Sequence, residues 1–569
     1  MPLKEYCGAT PGEEVASTMS REAVNMDVIK TSLIIAIGVT FYYLLLQWPT
    51  ESVTKEIIGQ EASYKNNIND SESSLTEPLT TFSDPDVGEE SSVDIQGNYF
   101  DVQNKDLSLK IDSKTGRFVY SELKNITKEK DGTAPFEIFG KTKSPDSFKE
   151  NLYFANSGFY VQGEGYLKPN FSEILKNITD SGEIEYQLLG DTERFDFVRK
   201  VRLPSTGYKI SVEDSVLSKS NERLQLTPYV VIERDGSPVE EGGLMYTYLG
   251  PVFSSTNDTY EKYDFEDIKE APYQNKSLGG WVALIQHYFL SAWVPNQSLE
   301  YLYQARYSNR SERFSLGYTS RENVVNYGDS VSTENVLYVG PKLPGQLAEI
   351  EENLDLTVDY GFLWWLGKPM YWFLELGNKI FNNWGMAIIF LTVVLKIITW
   401  PLSAKAYVSM GKMRELAPKM QQLQEKHGDN RQAMSQEMMQ MYQKEGVNPL
   451  GGCLPMLAQL PFFLAFYWVL LETVELRHSP FFLWIDDLSA MDPYFILPIL
   501  NGAGMYLSQK LTPTPPNADP MQAQMMKIFP LVFAVIFAWF PSGLVLYWLV
   551  NMVIQIFQQW WYSRKALAN

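Results

Sequence analysis

The sequence predicts a multi-domain membrane protein, in which a large antiparallel β-sandwich precedes an α-helical transmembrane bundle. Apolar runs long enough to span a bilayer occur near the N-terminus and again after residue 384. Between them, residues 97–345 form short segments that alternate polar and apolar side chains. Hydrophobic residues make up 45% of the chain, yet the mean hydropathy is only −0.19. A polar domain must therefore accompany the apolar one.

Composition excludes several classes of protein. The net charge is −20 over 569 residues, and the acidic side chains are concentrated between Glu51 and Glu351. A nucleic-acid binder needs a basic face, so no direct nucleic-acid partner is expected. Cys7 and Cys453 lie far apart and the three histidines are scattered. This distribution predicts neither a disulfide framework nor a metal site, and we expect no cofactor.

The N-terminal region contains three predicted segments. Residues 1–25 are a polar extension without periodicity, and translation from Met26 would give the usual short lead to a first span. Residues 26–49 hold an apolar run of about 18 residues without a small-residue cleavage site, which favours an uncleaved signal anchor. Residues 50–96 are rich in Ser, Thr, Asn, Asp and Glu, and we interpret them as a flexible acidic linker.

Residues 97–345 are predicted to fold as the β-sandwich. Leu107–Ile111 and Tyr208–Val212 show the period-two alternation of half-buried strands, and Gly, Pro, Asn and Asp turns separate such segments. No catalytic constellation stands out, so the chain is not expected to be an enzyme. A carbohydrate-active enzyme anchored by its spans remains an alternative, which would require a carboxylate pair in the sandwich.

Residues 346–383 are predicted to be a linker and an aromatic-rich amphipathic helix lying at the membrane surface. A core at 384–562 follows, with a basic, methionine-rich helical hairpin at 403–448 and a short tail at 563–569. The methionines suit either an adaptable contact surface or filler between packed helices. The predicted spans of the core are about 384–402, 453–474, 494–511, 525–540 and 543–561.

The last two spans come from one apolar stretch of 35 residues, Lys527 to Trp561. As a single helix it would be about 52 Å long, against a hydrocarbon core of about 30 Å. Pro541-Ser542-Gly543 is the predicted break. Six spans in total place both termini on one side of the membrane, together with the basic hairpin. The positive-inside rule makes that side cytoplasmic and puts the acidic sandwich on the opposite side.

Lys396 is the residue that points most directly to function. A charge at the centre of a spanning helix costs about 2.5–3.5 kcal/mol on insertion scales, and such residues usually face a protein interior or a wet cavity. A lysine that snorkels to the surface is the alternative, but Lys396 lies at the limit of that reach. No Asp or Glu is predicted at matching depth. The predicted groove comprises Lys396, Thr392, Gln459, Trp548, Asn551 and Gln555.

An apolar wall is predicted beside this groove. We call this wall the hydrophobic slide, because an entering apolar segment would move along it. Its predicted members are Leu460, Phe463, Phe533 and Phe537. A cation without an internal counter-ion suggests that the counter-ion arrives with the substrate, such as the acidic tail of a polypeptide. A secondary transporter or small-solute channel is the alternative class, although paired internal repeats are not evident.

Several motifs resemble the YidC/Oxa/Alb family of membrane protein insertases, in its Gram-negative bacterial type. The matching segments are Asn448–Pro455, Val474–Arg477, Trp484–Ser489, Asp492–Leu500, Trp539–Tyr547 and, in the soluble region, Gly280–Ala283. The resemblance extends from Met26 to the C-terminus. It implies a multi-pass protein of the bacterial inner membrane, with a five-helix insertase core and a periplasmic sandwich like that of galactose mutarotases.

The resemblance also implies partners: nascent inner-membrane proteins, the Sec translocon, membrane lipids, and the ribosome or signal recognition machinery. Two departures bear on these expectations. The family most often has arginine in the groove, whereas this chain has Lys396, which keeps the charge but not the bidentate geometry. The chain stops at Asn569 without a long basic tail, which weakens the expectation of ribosome contact.

Overall fold

A computed structural model describes residues 98–143, 150–235, 248–427, 431–446, 454–511 and 520–568. The predicted polar extension, first span and acidic linker lie outside these residues. So do the predicted hairpin turn at 428–430 and most of the motif at 448–455.

The described soluble region forms two antiparallel sheets, as the alternating pattern predicts. In one, of twelve strands, the order is β1-β2-β3-β6-β12-β19-β18-β15, with β4, β5, β7 and β20 paired alongside; in the other, of nine, it is β14-β13-β16-β17-β21-β11-β10-β9-β8. The strands are β1 Tyr99–Gln103, β2 Leu107–Asp112, β3 Phe118–Thr127, β4 Pro135–Glu137, β5 Gly140–Lys143, β6 Glu150–Val161, β7 Gly165–Tyr166, β8 Phe171–Ile178, β9 Ile184–Asp191, β10 Phe195–Leu203, β11 Lys209–Ser218, β12 Leu224–Asp235, β13 Gly250–Ser254, β14 Glu261–Lys262, β15 Tyr273–Leu278, β16 Trp281–Ile285, β17 Phe289–Val294, β18 Glu300–Ser308, β19 Arg313–Thr319, β20 Asn323–Val325 and β21 Ser330–Pro341.

The two sheets pack face to face around a large aromatic core. Trp293 on β17 is fully buried; its indole N–H donates to the carbonyl of Val231 on β12 at 3.2 Å, and its ring meets Phe118 on β3 edge-on at 6.3 Å. Tyr318 on β19 donates to Asn335 on β21 at 2.8 Å, also across the sheets. Paired polar groups and close-packed rings therefore hold the sandwich together.

Nine helices are described. They are α1 Phe265–Glu270, α2 Pro344–Ile350, α3 Trp364–Phe381, α4 Trp384–His427, α5 Arg431–Glu445, α6 Leu454–Glu472, α7 Ile496–Leu511, α8 Pro520–Phe537 and α9 Ser542–Ala568, with 3-10 turns at Leu354–Thr357, Gly361–Leu363 and Val474–Leu476. Within the described residues, one helical segment, Trp384–Met413, is long and apolar enough to cross a membrane. Ala458–Glu472 and Lys527–Phe537 are shorter apolar segments.

Helix α4 continues through the predicted end of its span at residue 402. At 44 residues it is about 66 Å long, so the membrane-embedded part and the first arm of the hairpin form one helix. The composition changes at 402, but the helix continues through Pro401 to His427. By contrast, α8 ends at Phe537 and α9 begins at Ser542, so the predicted break in the last apolar stretch is present.

Methionines fill the contact between α4 and α5. Leu416, Met420 and Tyr442 are buried there, and Met413, Met438 and Met441 pack against them. The Tyr442 hydroxyl lies 3.4 Å from the Met420 sulfur. These contacts support the interpretation of these methionines as filler, whereas Met439 is half exposed and is available for other contacts.

Buried polar contacts join the sandwich to the helical region. Lys342, directly after β21, forms a salt bridge with Glu472 at the end of α6. Arg477 donates to the carbonyl oxygens of Thr127, the last residue of β3, and of Lys128, at 2.7 and 2.6 Å. The sequence places Glu472 at the outer end of a span, and the structure shows what it meets there.

Candidate functional site

The site begins with the position of Lys396 on helix α4. It follows Trp384 by twelve residues, or about 18 Å along the helix axis, and precedes Met413 by seventeen. Its side chain is only 3% exposed. Within the described part of the chain, the ammonium nitrogen has no hydrogen-bond partner. Lys396 is therefore a buried lysine whose ammonium group pairs with no acid among the described residues.

A small, partly open cavity lies beside this ammonium group. Its walls come from helices α4, α6 and α9, and the lining residues are Thr392, Leu395, Lys396, Thr399, Gln459, Phe462, Tyr547 and Asn551. The three predicted spans that carry the groove residues thus meet at one place. The predicted groove residues Thr392, Lys396, Gln459 and Asn551 are brought together.

The neutral polar groups of the cavity are satisfied without the lysine. The Thr392 hydroxyl donates to the carbonyl of Ile388 at 2.7 Å, and Thr399 donates to Leu395 at 2.9 Å. The Asn551 amide donates to Gln459 Oε1 at 2.9 Å. Such bonds hold helices together and stabilise their own turns. None of them compensates the charge of Lys396.

Two predicted groove residues lie elsewhere. Trp548 does not line the cavity, and Gln555 is half-buried and does not line it either. Tyr547 takes the place expected for Trp548, because Tyr547 and Asn551 are separated by four residues and share the face of α9 toward α4. Asn501 on α7 is fully buried and donates to the carbonyl of Val545 at 3.0 Å, which is a helix-packing contact.

Trp548 instead forms the centre of an apolar cluster. Its ring centroid lies 5.1 Å from Phe463, 5.4 Å from Phe533 and 5.7 Å from Phe537. Three of the four residues predicted for the hydrophobic slide thus contact this one tryptophan. Phe463 lies on α6, Phe533 and Phe537 lie on α8, and Trp548 lies on α9. The fourth, Leu460, is 43% exposed on the outer surface of α6. The polar cavity and this apolar cluster share α6 and α9.

Sequence reasoning missed further polar groups on the α4–α9 contact. Gln558 is completely buried, and neither polar atom of its side chain has a partner among the described residues. The hydroxyl of Tyr407 is also buried and has no hydrogen-bond partner among the described residues. Gln558 follows Asn551 by seven residues, or two helical turns, so the helical period alone would have identified it.

In the described part of the chain no three His, Cys, Asp or Glu side chains are grouped as they would be around a metal ion. The site consists instead of one buried cation, neutral amides and hydroxyls, and aromatic rings. Such a set can receive an anionic or hydrated group from a substrate.

Apolar helices that enclose a buried lysine, in a chain that also carries a large two-sheet sandwich, define the class: a membrane protein with a large soluble domain. Residues 376–568 match the family model of the 60Kd inner membrane protein, and residues 100–373 match that of the YidC periplasmic domain. The chain belongs to the YidC family of membrane protein insertases, and is thus an inner-membrane protein with a periplasmic domain.

Named relatives cover most of the chain. The membrane protein insertase YidC of Haemophilus influenzae (strain PittEE) is 42% identical over 486 residues, which is 82% of this chain and 86% of the relative. That of Actinobacillus succinogenes is 39% identical over 559 residues, covering 94% and 97%. A solved structure described as an active YidC insertase with its first transmembrane domain resolved is 18% identical and covers 80% of this chain and 91% of that one, with a TM-score of 0.37.

Proposed function

We propose that this chain inserts membrane proteins by receiving the polar tail of a substrate in the Lys396 cavity. The observation that carries the proposal is a buried ammonium group without an acceptor in the described residues. A buried charge is costly unless it is paired, so a site that keeps one open gains most when an acidic group enters. An Asp or Glu in a translocating tail supplies that group.

The apolar cluster around Trp548 gives the other half of the proposal. A nascent span is apolar while its tail is polar, and each part needs its own surface. The tail would meet Lys396, Gln459 and Asn551, while the span would pass along Phe463 and Phe533 into lipid. The membrane potential assists the movement of acidic tails outward, by about 2.3 kcal/mol per charge per 100 mV.

We further propose six spans, with both termini in the cytoplasm and the sandwich in the periplasm. The basic residues of the hairpin support this orientation, because cytoplasmic segments near spans are enriched in Lys and Arg. The cavity would then open to the cytoplasm. Nascent inner-membrane proteins are the proposed substrates; the Sec translocon, the ribosome or signal recognition machinery, and membrane lipids are the proposed partners.

Site-specific crosslinking during insertion tests the proposal. A photoreactive phenylalanine analogue at Phe462, which lines the cavity, should crosslink to the acidic tail of a small single-span substrate arrested during insertion into proteoliposomes. The matched control is the same analogue at Leu531, which is 67% exposed on the outer surface of α8. Crosslinks of equal yield from both positions, or only from Leu531, would show that the tail does not use the cavity.

A further inference from the structure

The loop between α6 and α7 has its apolar side chains on the outside. We call residues 479–495 the inverted loop. Five large apolar side chains within it are exposed: Phe482 54%, Leu483 87%, Met491 52%, Tyr494 65% and Phe495 48%. Clusters of exposed apolar groups of this kind mark contacts with a protein or a membrane.

Two of the three carboxylates of the inverted loop, Asp487 and Asp492, accept hydrogen bonds from within the loop and the start of α7. Asp492 is 1% exposed, and its carboxylate accepts hydrogen bonds from the Trp484 indole at 3.0 Å and from the backbone N–H groups of Tyr494 at 3.0 Å and Leu497 at 2.7 Å. Asp487 accepts from the backbone and hydroxyl of Ser489 at 2.8 and 2.7 Å. The charges that would ordinarily face water are used to fix the backbone.

The same bonds hold two exposed apolar residues in an unfavourable backbone conformation. Leu483 has a φ of 59° and Phe495 one of 56°, both in the left-handed region that bulky side chains avoid. The turn around Leu483 is closed by the N–H of Phe481 donating to the carbonyl of Ile485 at 2.8 Å. The exposure of Leu483 is therefore imposed by a well-bonded turn, and strained backbone of this kind is often kept for function.

The inverted loop lies against the first turn of helix α4, where the apolar segment Trp384–Met413 begins. Phe481 packs so closely on Gly385 that a Cβ there would lie 2.0 Å from its ring. The Asn383 amide donates to the carbonyl of Pro480 at 3.3 Å. At its other end the loop leads into α7, whose Ile499 and Leu500 are exposed apolar residues. The loop thus contacts the start of one apolar helix and runs directly into the apolar outer surface of another.

We propose that the inverted loop inserts Phe482 and Leu483 into the bilayer leaflet next to the start of α4, and so anchors the helical core at a fixed depth. The contact with α4 and the continuity with α7 favour lipid over a protein partner. Residues 479–495 contain no Lys or Arg, and the exposed Asp486 pairs with Lys130 at 3.2 Å, so the loop itself offers no basic group to an anionic headgroup. The exposed apolar side chains of the loop suit the boundary between headgroups and acyl chains, in phospholipids of any charge.

Fluorescence quenching by lipids tests this proposal. The full chain, with Cys7→Ser and Cys453→Ser, carries an environment-sensitive label at Leu483→Cys and is reconstituted into vesicles of neutral phosphatidylcholine. Interfacial apolar groups lie about 5–10 Å into the headgroup–acyl boundary. We therefore expect blue-shifted emission that is quenched more by a nitroxide high on the acyl chain than by one near its end. The control is the label at Asp486→Cys in the same loop, where aqueous iodide should quench and the lipid nitroxides should not.

Equal quenching of both labels by iodide, with no lipid quenching at position 483, would overturn the proposal. Protection of position 483 that appears only when a second membrane protein is added would assign the loop to a protein contact and overturn it equally. A variant that keeps the backbone provides a second measurement. Leu483→Asn adopts the left-handed region readily, and in bilayer nanodiscs it should increase amide hydrogen exchange around Phe482 relative to the unmodified chain. Unchanged exchange in that variant would also contradict membrane insertion.

Discussion

Removing one partner of the buried ion pair between Lys342 and Glu472 should destabilise the junction of the sandwich with the helical core. The two side chains are 2% and 5% exposed. Loss of one partner leaves an uncompensated buried charge, which costs about 3–5 kcal/mol. For a domain of this size, the melting temperature falls by about 2–4 °C for each kcal/mol of unfolding free energy that is lost. Lys342→Met should therefore lower the melting temperature by roughly 10 °C.

The double variant Lys342→Met, Glu472→Leu is the informative comparison. Replacing both charges by apolar groups leaves no unpaired charge, so most of the loss should be recovered. Thermal melting of the purified protein, followed by the sandwich signal in circular dichroism, measures each single variant and the double. A double variant whose loss equals the sum of the two single losses would show that the charges do not act on each other, and would refute the reasoning.

Three further predictions concern other parts of the molecule. Deleting residues 97–343 should leave much of the insertion activity of a stably expressed chain, because the Lys396 cavity lies wholly in the helices; complete loss would contradict this core-only account. Hydrogen exchange should be faster in the hairpin helices at 403–448 than around Lys396, since the buried contact of Leu416, Met420 and Tyr442 is small. Protection of the hairpin as strong as that of the core would refute this prediction. Burial raises the pKa of the Glu475 carboxyl, so the folded state loses stability as pH rises from the unfolded pKa through the folded one. Glu475→Gln, which keeps an acceptor for the Tyr371 hydroxyl, should therefore stabilise the protein at pH 7 and have little effect near pH 4; equal melting shifts at both pH values would contradict this.

Features set by local pattern could be predicted from the sequence. Alternation identified the antiparallel strands, and Pro541-Ser542-Gly543 identified the break between α8 and α9. The isolation of Lys396 was also predictable, because it depends only on the absence of acids in the neighbouring apolar runs. Each of these features needs knowledge of one segment and its composition.

Features that depend on how separate segments meet could not be predicted in the same way. Lys342 and Glu472 are 130 positions apart, and nothing local in either segment marks the other as a partner. The rotation of α9 about its axis is set by its packing on α4 and α6. The sequence therefore predicted Trp548 in the groove, whereas its neighbour Tyr547 lines the cavity. The inverted loop shows the same limit, since its hydrogen bonds decide which side chains face outward.

Lys396 is proposed to receive acidic tails, and paired substrates test that role most directly. Two single-span substrates, identical except for an acidic or a neutralised tail, are presented to proteoliposomes bearing equal amounts of Lys396, Lys396→Arg or Lys396→Ala protein. We expect Arg to support insertion of both substrates. The Lys396→Ala protein should insert the acidic substrate far less well than the neutral one. Only the acidic tail gives up bound water and gains the Lys396 ammonium group as a partner. Equal insertion of both substrates by the Ala and Lys proteins would contradict the account and leave Lys396 without a role in insertion.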